Sequence, residues 1–524
     1  MRCGSPLLNT STDVGKRTSK IRSIYYVQMR TVTRAPGGYR ERMTNPTATL
    51  TRYAPPTRRD VTVNDVHSHM NPTRVHDVVR PESIAAVQSF VRAARHDGRA
   101  LSVAGGRHAM GGQQFATNAT LMDMTRLTRV IEFDRIRGEI EVEAGIQWPE
   151  LYQYLSETQV YDKHPWAFIQ KQTGADKLSI GGALASNVHG RGLMLPPFVG
   201  DVAAFTIVGP DGVVRRCSRT ENPEVFRAAI GGYGLFGPIV NVRLRLAPRH
   251  KVQRTVEVID IDDLPAMFDR RIAAGYQYGD FQFATQLDPG ALLRKGVFSC
   301  YRGVDDATPM PSSRAHLTPE NWRELILLAH VDRARAFQAY SSYYLTTSGQ
   351  YYWSDEHQMS TYIPDYHEAL GARLGGYAHG TEMISEIYVP RDALVRFLAD
   401  VRSDFLEYRT DLIYGTIRLI ERDTETLLKW AKQPYACVIF NIHVMPDPAG
   451  VERAKQEFRR LIDRGLQYGG SYYLTYHRWA ERRQVAAAYP EFPEFLRLKR
   501  QLDPSEVFQS DWYRHYKKMF ADQL

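Results

Sequence analysis

A glycine-rich loop around a single histidine is the segment of the sequence whose residue types are best placed to do chemistry. An apolar strand is predicted over residues 101–104, and it runs directly into Gly105-Gly-Arg-His108-Ala-Met-Gly-Gly112. Glycines at this spacing allow backbone N–H groups to close around a diphosphate without side chains in the way. The loop therefore predicts a nucleotide site in which His108 lies against the group that the diphosphate carries.

Two common nucleotide folds are disfavoured by the residues after this loop. A doubly wound dinucleotide fold requires a helix immediately after the glycines, whereas residues 113–120 are small and polar and show no apolar stripe at helical spacing. The Gly-Lys-Ser/Thr ending of a phosphate-binding P-loop is also missing from the sequence. The loop therefore calls for a different dinucleotide fold.

Two further glycine clusters come after the first along the chain. One is Leu178–Gly192, which contains Ser-Asn-Val-His189-Gly-Arg-Gly, and the other lies within residues 226–240. In this order, the three loops resemble the FAD-binding domain of the vanillyl-alcohol-oxidase flavoprotein superfamily over about residues 76–248. The second loop is similar to a segment of aldonolactone and alditol oxidases, and residues 469–511 resemble the end of decaprenylphosphoryl-ribose oxidase.

The resemblance implies both a fold and a cofactor. The fold is α+β: a PCMH-type FAD-binding fold of two α/β subdomains, followed by an α+β substrate or cap domain with an antiparallel sheet. The cofactor is FAD, and no metal is expected. The residues expected to bind FAD lie in the matching loops: Gly105, Gly106, Arg107, His108, Ala109, Met110, Gly112, Gln113, Ser179, Gly182, Ser186, Asn187, His189, Gly190 and Val240.

His108 is the residue that the resemblance marks as a covalent ligand of the flavin. Aligned on Gly112-Gln113, it falls on the histidine that many members of the superfamily bond to FAD. An alternative register, aligned on Gly106, places Arg107 there, as in the non-covalent members. The structural alternative for His108 is a histidine that only hydrogen-bonds the loop, and for His189 it is a histidine beside a tight turn.

The proton acceptor of an alcohol oxidation is expected in the second domain or the returning segment, because the first domain is occupied with FAD. Alternating patterns predict strands that carry Glu386, Arg418, His443 and the pair Tyr476 and His477. The pair is the first choice for the acceptor. Since neighbouring strand residues point in opposite directions, only one of the two can face the flavin. The alternative for each residue is an ordinary place in a hydrogen-bonded sheet face.

The resemblance implies an FAD-dependent oxidoreductase that transfers a hydride from a CH–OH carbon to flavin N5. The substrate would be a small sugar, polyol or lactone, and O2 or another acceptor would reoxidise the flavin. Tyr476 stands where the ribose-oxidising relative has lysine, so that relative's substrate is not carried over. Two alternatives stay open: a dehydrogenase or epimerase component that passes electrons to a protein or quinone, and a flavin-binding module without turnover.

The elements that must position these residues are predicted from hydrophobic periodicity. Apolar residues at helical spacing predict a helix over residues 81–95, and strict alternation predicts a strand over residues 139–144. Eight aromatic residues between 340 and 366 either line a sugar pocket or form a second core. The predicted division is a tail at 1–60, an FAD-binding domain at 61–250, a substrate domain at 251–455 and a returning segment at 456–524.

The distribution of charge limits the expected partners. Residues 1–60 hold twelve Lys/Arg and three Asp/Glu, so the whole formal charge of +9 lies in this tail. The rest is neutral, and nucleic-acid binding is not expected. No stretch reaches the roughly 18 apolar residues of a membrane span, and four scattered cysteines indicate a reducing, cytoplasmic setting. The tail is interpreted as disordered, as a transit-peptide-like leader, or as sequence upstream of a true start at Met29 or Met43.

Overall fold

The computed structural model describes residues 60–360, 363, 366–375 and 380–524, with the backbone alone at 366–369. The predicted tail, apart from Asp60, and Tyr362 of the aromatic span lie outside these residues. The strands are β1 Val61–Val63, β2 Thr73–Val75, β3 Asp77–Val79, β4 Leu101–Ala104, β5 Thr120–Asp123, β6 Val130–Asp134, β7 Glu139–Glu143, β8 Trp166–Phe168, β9 Val202–Val208, β10 Val214–Ser218, β11 Ile239–Pro248, β12 Lys251–Asp260, β13 Tyr276–Phe283, β14 Lys295–Gly303, β15 Tyr351–Trp353, β16 Thr381–Pro390, β17 Leu412–Ile420, β18 Tyr435–Val444 and β19 Ser471–Tyr472. The α-helices are α1 Ile84–His96, α2 Trp148–Thr158, α3 Ile180–Ser186, α4 Pro223–Ala229, α5 Leu264–Ala273, α6 Pro319–Val331, α7 Arg333–Thr346, α8 Tyr366–Leu374, α9 Leu394–Glu407, α10 Pro448–Gln467, α11 Arg482–Ala488, α12 Phe492–Leu502 and α13 Asp511–Met519.

The strands form a small parallel sheet and larger antiparallel sheets. The parallel sheet has the order β3-β5-β4, and β1 pairs with β2. A six-stranded antiparallel sheet has the order β10-β9-β11-β7-β6, with β8 paired to β11. An eight-stranded antiparallel sheet has the order β15-β12-β14-β13-β17-β18-β16-β19. The described chain is therefore α+β with antiparallel sheets, as the sequence predicts.

Local sequence signals explain where the elements near the first glycine loop begin. Ser83 Oγ accepts a hydrogen bond from the Ala86 N–H at 3.1 Å, so α1 starts at Ile84, three residues later than the sequence prediction. The predicted strand at 139–144 is β7, with Ile140 and Val142 wholly buried. In both elements, the alternation or helical spacing of apolar residues matches the face that packs inward.

One face of the eight-stranded sheet is apolar and covered by helices. Ile387, Val438, Ile417 and Phe281 are register partners across β16, β18, β17 and β13, and all four are wholly buried. Phe440, on the same face, contacts Phe405 of α9 with the ring centroids 5.4 Å apart. This face forms the core of the second half of the chain.

The opposite face of the same four strands carries polar side chains. Gln282, Thr416, Ile439 and Glu386 are register partners in one row across β13, β17, β18 and β16. Gln282, Thr416 and Glu386 are buried although they are polar or charged. Since buried polar groups in proteins are normally hydrogen-bonded, such a row on an interior sheet face indicates a functional surface rather than a core.

The C-terminal segment returns to the parallel sheet. The Leu101 N–H donates to the Val507 carbonyl at 2.7 Å, and the Gln509 N–H donates to the Leu101 carbonyl at 2.8 Å. The predicted boundary between 455 and 456 falls inside α10, and the four-part division of the chain stays a prediction. None of the helices in the described ranges combines the length and the apolarity that a membrane crossing requires.

Candidate functional site

The three glycine clusters of the sequence meet around one cleft. Its empty volume is about 680 Å³, and it lies between the end of β4, the start of α3 and the loop between α4 and β11. Its lining residues are Val103, Ala104, Gly105, Gly106, Arg107, His108, Ala109, Gln113, Gln114, Met124, Ala144, Leu178, Ser179, Gly181, Gly182, Ala185, Ser186, Tyr233, Gly234, Gly237 and Ile239.

The loop after β4 presents a run of unused backbone donors to this cleft. Within the described part of the chain, none of the N–H groups from Gly105 to Ala109 donates a hydrogen bond. Arg107 has a φ of 59°, which is the left-handed conformation that turns successive N–H groups towards an anion. A Cβ atom on Gly105 would collide with Ser179 Oγ, and one on Gly106 with the Lys177 carbonyl oxygen. This cradle fits a diphosphate.

The second half of the loop packs against the C-terminal segment instead of lining the cleft. The Met110 N–H donates to the Thr475 carbonyl at 3.0 Å, so this N–H group is not available to FAD, for which the sequence prediction selects Met110. A Cβ atom on Gly112 would collide with the guanidinium of Arg478. Met110 and Gly112 therefore hold the chain around residue 475 against the loop, whereas Gln113 does line the cleft.

Four other predicted cofactor residues also lie outside the cleft lining. Asn187 ends α3 with a φ of 47°, and its side chain donates to Asp423 Oδ2 at 3.0 Å. Gly190 packs so closely that a Cβ atom would lie 2.8 Å from the Lys171 carbonyl oxygen. Val240 is wholly buried in an apolar cluster with residues of α1 and β4. The fourth residue, His189, lies three positions after the end of α3, and its ring contacts the carboxylate of Glu386.

The third wall of the cleft is the part that the sequence prediction mostly misses. Tyr233, Gly234, Gly237 and Ile239 line the cleft, whereas the prediction selects only Val240 from this loop. The sequence signal for this wall is its glycines. Gly234 and Gly237 have φ values of 76° and 136°, which favour glycine, and a Cβ atom on Gly237 would collide with the carbonyl oxygen of Val208 in β9.

His108 lies at the cleft as an uncharged imidazole. Its Nδ1 atom is 2.8 Å from His67 Nε2, so the two rings share a hydrogen bond. Burial, and then the charge of His67, lower the pKa of His108 to about 3. An imidazole that stays neutral at physiological pH is available as a nucleophile.

A buried acid–base cluster lies where the polar sheet face meets the chain after α3. His189 Nε2 is 2.5 Å from Glu386 Oε1, and the Tyr476 hydroxyl donates to Glu386 Oε2 at 3.1 Å. His189 and Glu386 are at most 1% exposed, and Tyr476 is 8% exposed. Burial alone would raise the pKa of Glu386, but the charges of His189 and Arg418 and the hydrogen bond from His189 hold it below its usual value. The carboxylate is therefore ionised in the interior.

The hydrogen bonds of His189 define where its protons lie. The second ring nitrogen, Nδ1, is 3.1 Å from the Gly190 carbonyl oxygen, which can only accept, so Nδ1 carries a proton. Nε2, the other ring nitrogen, is 2.5 Å from Glu386 Oε1, so the two side chains form a buried hydrogen-bonded pair.

Short contacts join this cluster to the glycine-lined cleft. The Tyr473 hydroxyl donates at 2.6 Å to the carbonyl of Ser186, a cleft residue three positions before His189. Gln113, also a cleft residue, donates through Nε2 to the carbonyls of Leu474 and Tyr476 at 2.7 and 3.1 Å. The cluster therefore lies at one end of the cleft.

Polar atoms beside the cluster lack partners. In the part of the chain that the structure describes, Arg418 Nε and Arg418 Nη1 are buried and make no hydrogen bond. Leaving buried donors unpaired is costly, so these two groups are suited to contact a ligand. Of the predicted catalytic residues, the structure thus brings together Glu386, Arg418 and Tyr476, and it adds His189.

Two predicted catalytic residues lie elsewhere. His443 is on β18 four residues beyond the register partner of Glu386, and its Nδ1 atom is 3.0 Å from Asp411 Oδ2. His477 stacks on Trp479 with the ring centroids 3.9 Å apart, and burial lowers its pKa to about 4. The prediction that only one of Tyr476 and His477 faces the site agrees with this geometry. The strand predicted for them is wrong, because β19 ends at Tyr472.

His189, Glu386 and Cys437 also bring three metal-ligand atoms within 4.8 Å of one another. Two of these atoms, His189 Nε2 and Glu386 Oε1, already contact each other at 2.5 Å. Burial raises the pKa of the Cys437 thiol well above its usual value.

Comparisons with known proteins agree with the cleft geometry. Residues 76–218 match the family model described as an FAD binding domain. The chain is 29% identical to L-gulonolactone oxidase of Mus musculus over 176 residues, which is 34% of this chain and 38% of that protein. It is 31% identical to D-arabinono-1,4-lactone oxidase of Eremothecium gossypii over 193 residues, 35% of this chain and 34% of that protein. It is 24% identical over 256 residues to L-galactono-1,4-lactone dehydrogenase 2, mitochondrial, of Oryza sativa subsp. japonica, 47% of this chain and 42% of that protein.

These matches span less than half the length of each relative. The family match contains two of the three glycine clusters that meet there, and the free N–H groups at Gly105–Ala109 fit the diphosphate of the cofactor. Residues 76–218 therefore form an FAD-binding domain of the PCMH type, similar to the matching part of these aldonolactone oxidases, and the cofactor is FAD.

Proposed function

We propose that this protein is an FAD-dependent oxidoreductase that removes a hydride from the CH–OH carbon of a sugar, polyol or lactone. The observation that carries the proposal is the buried cluster of Glu386, His189 and Tyr476 at one end of the FAD cleft. An ionised carboxylate beside unpaired guanidinium donors is suited to take a hydroxyl proton while the neighbouring carbon loses its hydride. The names of the similar lactone oxidases support the same class of reaction.

Different residues of the cleft would bind different parts of FAD. The N–H groups of Gly105–Ala109 would hold the diphosphate, and the small residues Gly181, Gly182 and Ala185 leave room for the rest of the cofactor. When bound, FAD supplies a hydride acceptor at its N5 atom. We further propose that His108 is a covalent ligand of the flavin, since its neutral ring faces the same cleft.

Glu386 is the group that we propose receives the hydroxyl proton of the substrate. Each oxygen of this carboxylate accepts one hydrogen bond, from His189 or from Tyr476, and retains a second lone pair. Tyr476 is a positioning residue in this scheme. Burial and the charge of Glu386 raise the pKa of its phenol well above the usual value, so the phenol stays protonated and cannot accept the proton. This replaces the sequence preference for Tyr476 or His477 as the acceptor. Arg418 would donate its two free N–H groups to the oxygen of the substrate.

An anaerobic substrate screen tests the proposed function. Purified holoprotein is mixed without oxygen with L-gulono-1,4-lactone, sorbitol or maltitol, and the yellow absorbance of oxidised flavin is followed. We expect at least one of these CH–OH compounds to bleach the flavin. If dithionite bleaches the flavin but none of these compounds does, the protein would instead be a non-catalytic flavin module.

We propose O2 as the acceptor that reoxidises the flavin, since the similar proteins of mouse and Eremothecium gossypii carry the name oxidase. Air is admitted to the substrate-bleached sample, and hydrogen peroxide is measured. Peroxide equal to the flavin present supports an oxidase. Reoxidation by a quinone without peroxide in air would favour the dehydrogenase alternative, which is the name carried by the rice relative.

A further inference from the structure

The polar face of the eight-stranded sheet extends well beyond the Glu386 cluster. Gln282 and Glu386 are in the same row but on strands separated by β17 and β18, so about three strand spacings, or roughly 14 Å, lie between their backbones. Asp280, two residues before Gln282 on β13, shares this face. Asp280, Gln282 and Thr416 are each less than a tenth exposed.

The far end of this face has unpaired polar atoms of both kinds. Asp280 Oδ1 and Gln282 Oε1 accept, Arg191 Nε donates and the Thr416 hydroxyl can do either, and none of these atoms has a partner among the described residues. Arg191 Nη1 is 3.6 Å from Asp280 Oδ2, so these two charges offset each other. A ligand that fits must both donate and accept hydrogen bonds. Hydroxyl groups meet this requirement, whereas a carboxylate or phosphate would face Asp280.

Tyrosines of the aromatic span border the same end. Tyr340 and Tyr344, one turn apart on α7, are half-buried with ring centroids 4.2 Å apart. Arg254 lies 4.4 Å from the Tyr344 ring centroid, and Asp280 contributes to raising the pKa of Tyr340. Tyr414, which shares the polar face, is 42% exposed, so the face reaches solvent. Half-buried aromatic rings beside hydroxyl-binding groups are suited to the face of a sugar ring.

We propose that Asp280, Gln282, Arg191 and the α7 tyrosines form a distal recognition site, and that the substrate is a glycosylated polyol of two sugar units rather than a single lactone ring. The inference rests on the proposed function. A molecule oxidised beside Glu386 that also reaches Gln282 must span a distance on the order of 10 Å, because the backbones of these two residues lie about 14 Å apart. One five-membered ring is too short for this, and two linked sugar units are long enough.

Sorbitol and maltitol provide a matched pair of probes, because maltitol is sorbitol carrying one glucosyl unit. Binding of each to the oxidised holoprotein is measured anaerobically by calorimetry, beside the rate of flavin bleaching. We expect maltitol to bind at least tenfold more tightly than sorbitol. The variants Gln282→Leu and Asp280→Asn should abolish this preference, and they should leave sorbitol binding within twofold of wild type.

The control is Gln277→Leu, the same change at an exposed position of the same strand, and it should keep the preference. If Asp280→Asn does not retain FAD, the loss of the maltitol preference is judged from Gln282→Leu alone. Equal affinity for the two compounds, or no binding of either, would overturn the distal site even if sorbitol bleaches the flavin. A preference for maltitol without any bleaching would instead retain the distal site and contradict the proposed oxidation.

Discussion

At the scale of single residues, the site depends on charge states that burial alone would not produce. Glu386 is ionised in a dry interior because His189 and Arg418 compensate its desolvation, and the Gly190 carbonyl fixes the orientation of the imidazole. His108 shows the opposite case, in which burial next to another imidazole keeps the ring neutral. We therefore propose that one site combines Glu386, an anion that can accept a proton, with His108, a neutral nucleophile.

The covalent role of His108 is testable at this scale. Acid precipitation of wild type should leave yellow flavin in the protein pellet, and His108→Ala should release it. Because the pKa of His108 is about 3, the ring is neutral at both pH 5 and pH 8, and attachment of FAD to the apoprotein should proceed equally at the two values. His96→Ala, at the exposed end of α1, is the control and should keep the flavin attached. Release of all flavin from wild type would contradict the bond.

At the scale of elements, the decisive contacts are between backbones. The loop after β4 is held between the carbonyl of Lys177 on one side and the chain at Leu474–Tyr476 on the other. Glycines permit this close approach, and the N–H groups left unused are those that face the cleft. The antiparallel sheet acts differently: its strict alternation places apolar side chains against α9 and the polar row towards the site.

The loop predicts a specific effect of one methyl group. In Gly106→Ala, the new Cβ atom would collide with the Lys177 carbonyl oxygen, which belongs to the backbone and cannot rotate away. We expect purified Gly106→Ala to contain less than a tenth of the FAD of wild type, measured by flavin absorbance per protein. Gly303→Ala is the matched control, because its Cβ atom would meet nothing closer than 3.9 Å. Equal FAD content in Gly106→Ala would show that the loop does not bind the cofactor.

At the scale of the whole molecule, local sequence patterns predict the helices and strands but not the contacts between residues that are distant in sequence. Helical spacing predicts α1, alternation predicts β7, and the glycine clusters predict the walls of the cleft. The pairing of His189 with Glu386 joins residues 197 positions apart, and no local pattern encodes it. The strand predicted at Tyr476 fails for a related reason: the Leu474 and Tyr476 carbonyls bond to Gln113 of the glycine loop instead of a neighbouring strand.

The central claim is that the FAD cleft and the Glu386 cluster form one active site, and single-turnover flavin reduction in Glu386→Gln tests it most directly. Glutamine keeps the shape and can accept the Tyr476 hydrogen bond, but it cannot take the hydroxyl proton of the substrate. We predict unchanged FAD content and reduction slowed about 100-fold or more by the substrate that bleaches wild type. Glu382→Gln, at a half-buried position nearer the start of β16, should reduce at the wild-type rate. Reduction of Glu386→Gln at the wild-type rate would contradict the claim.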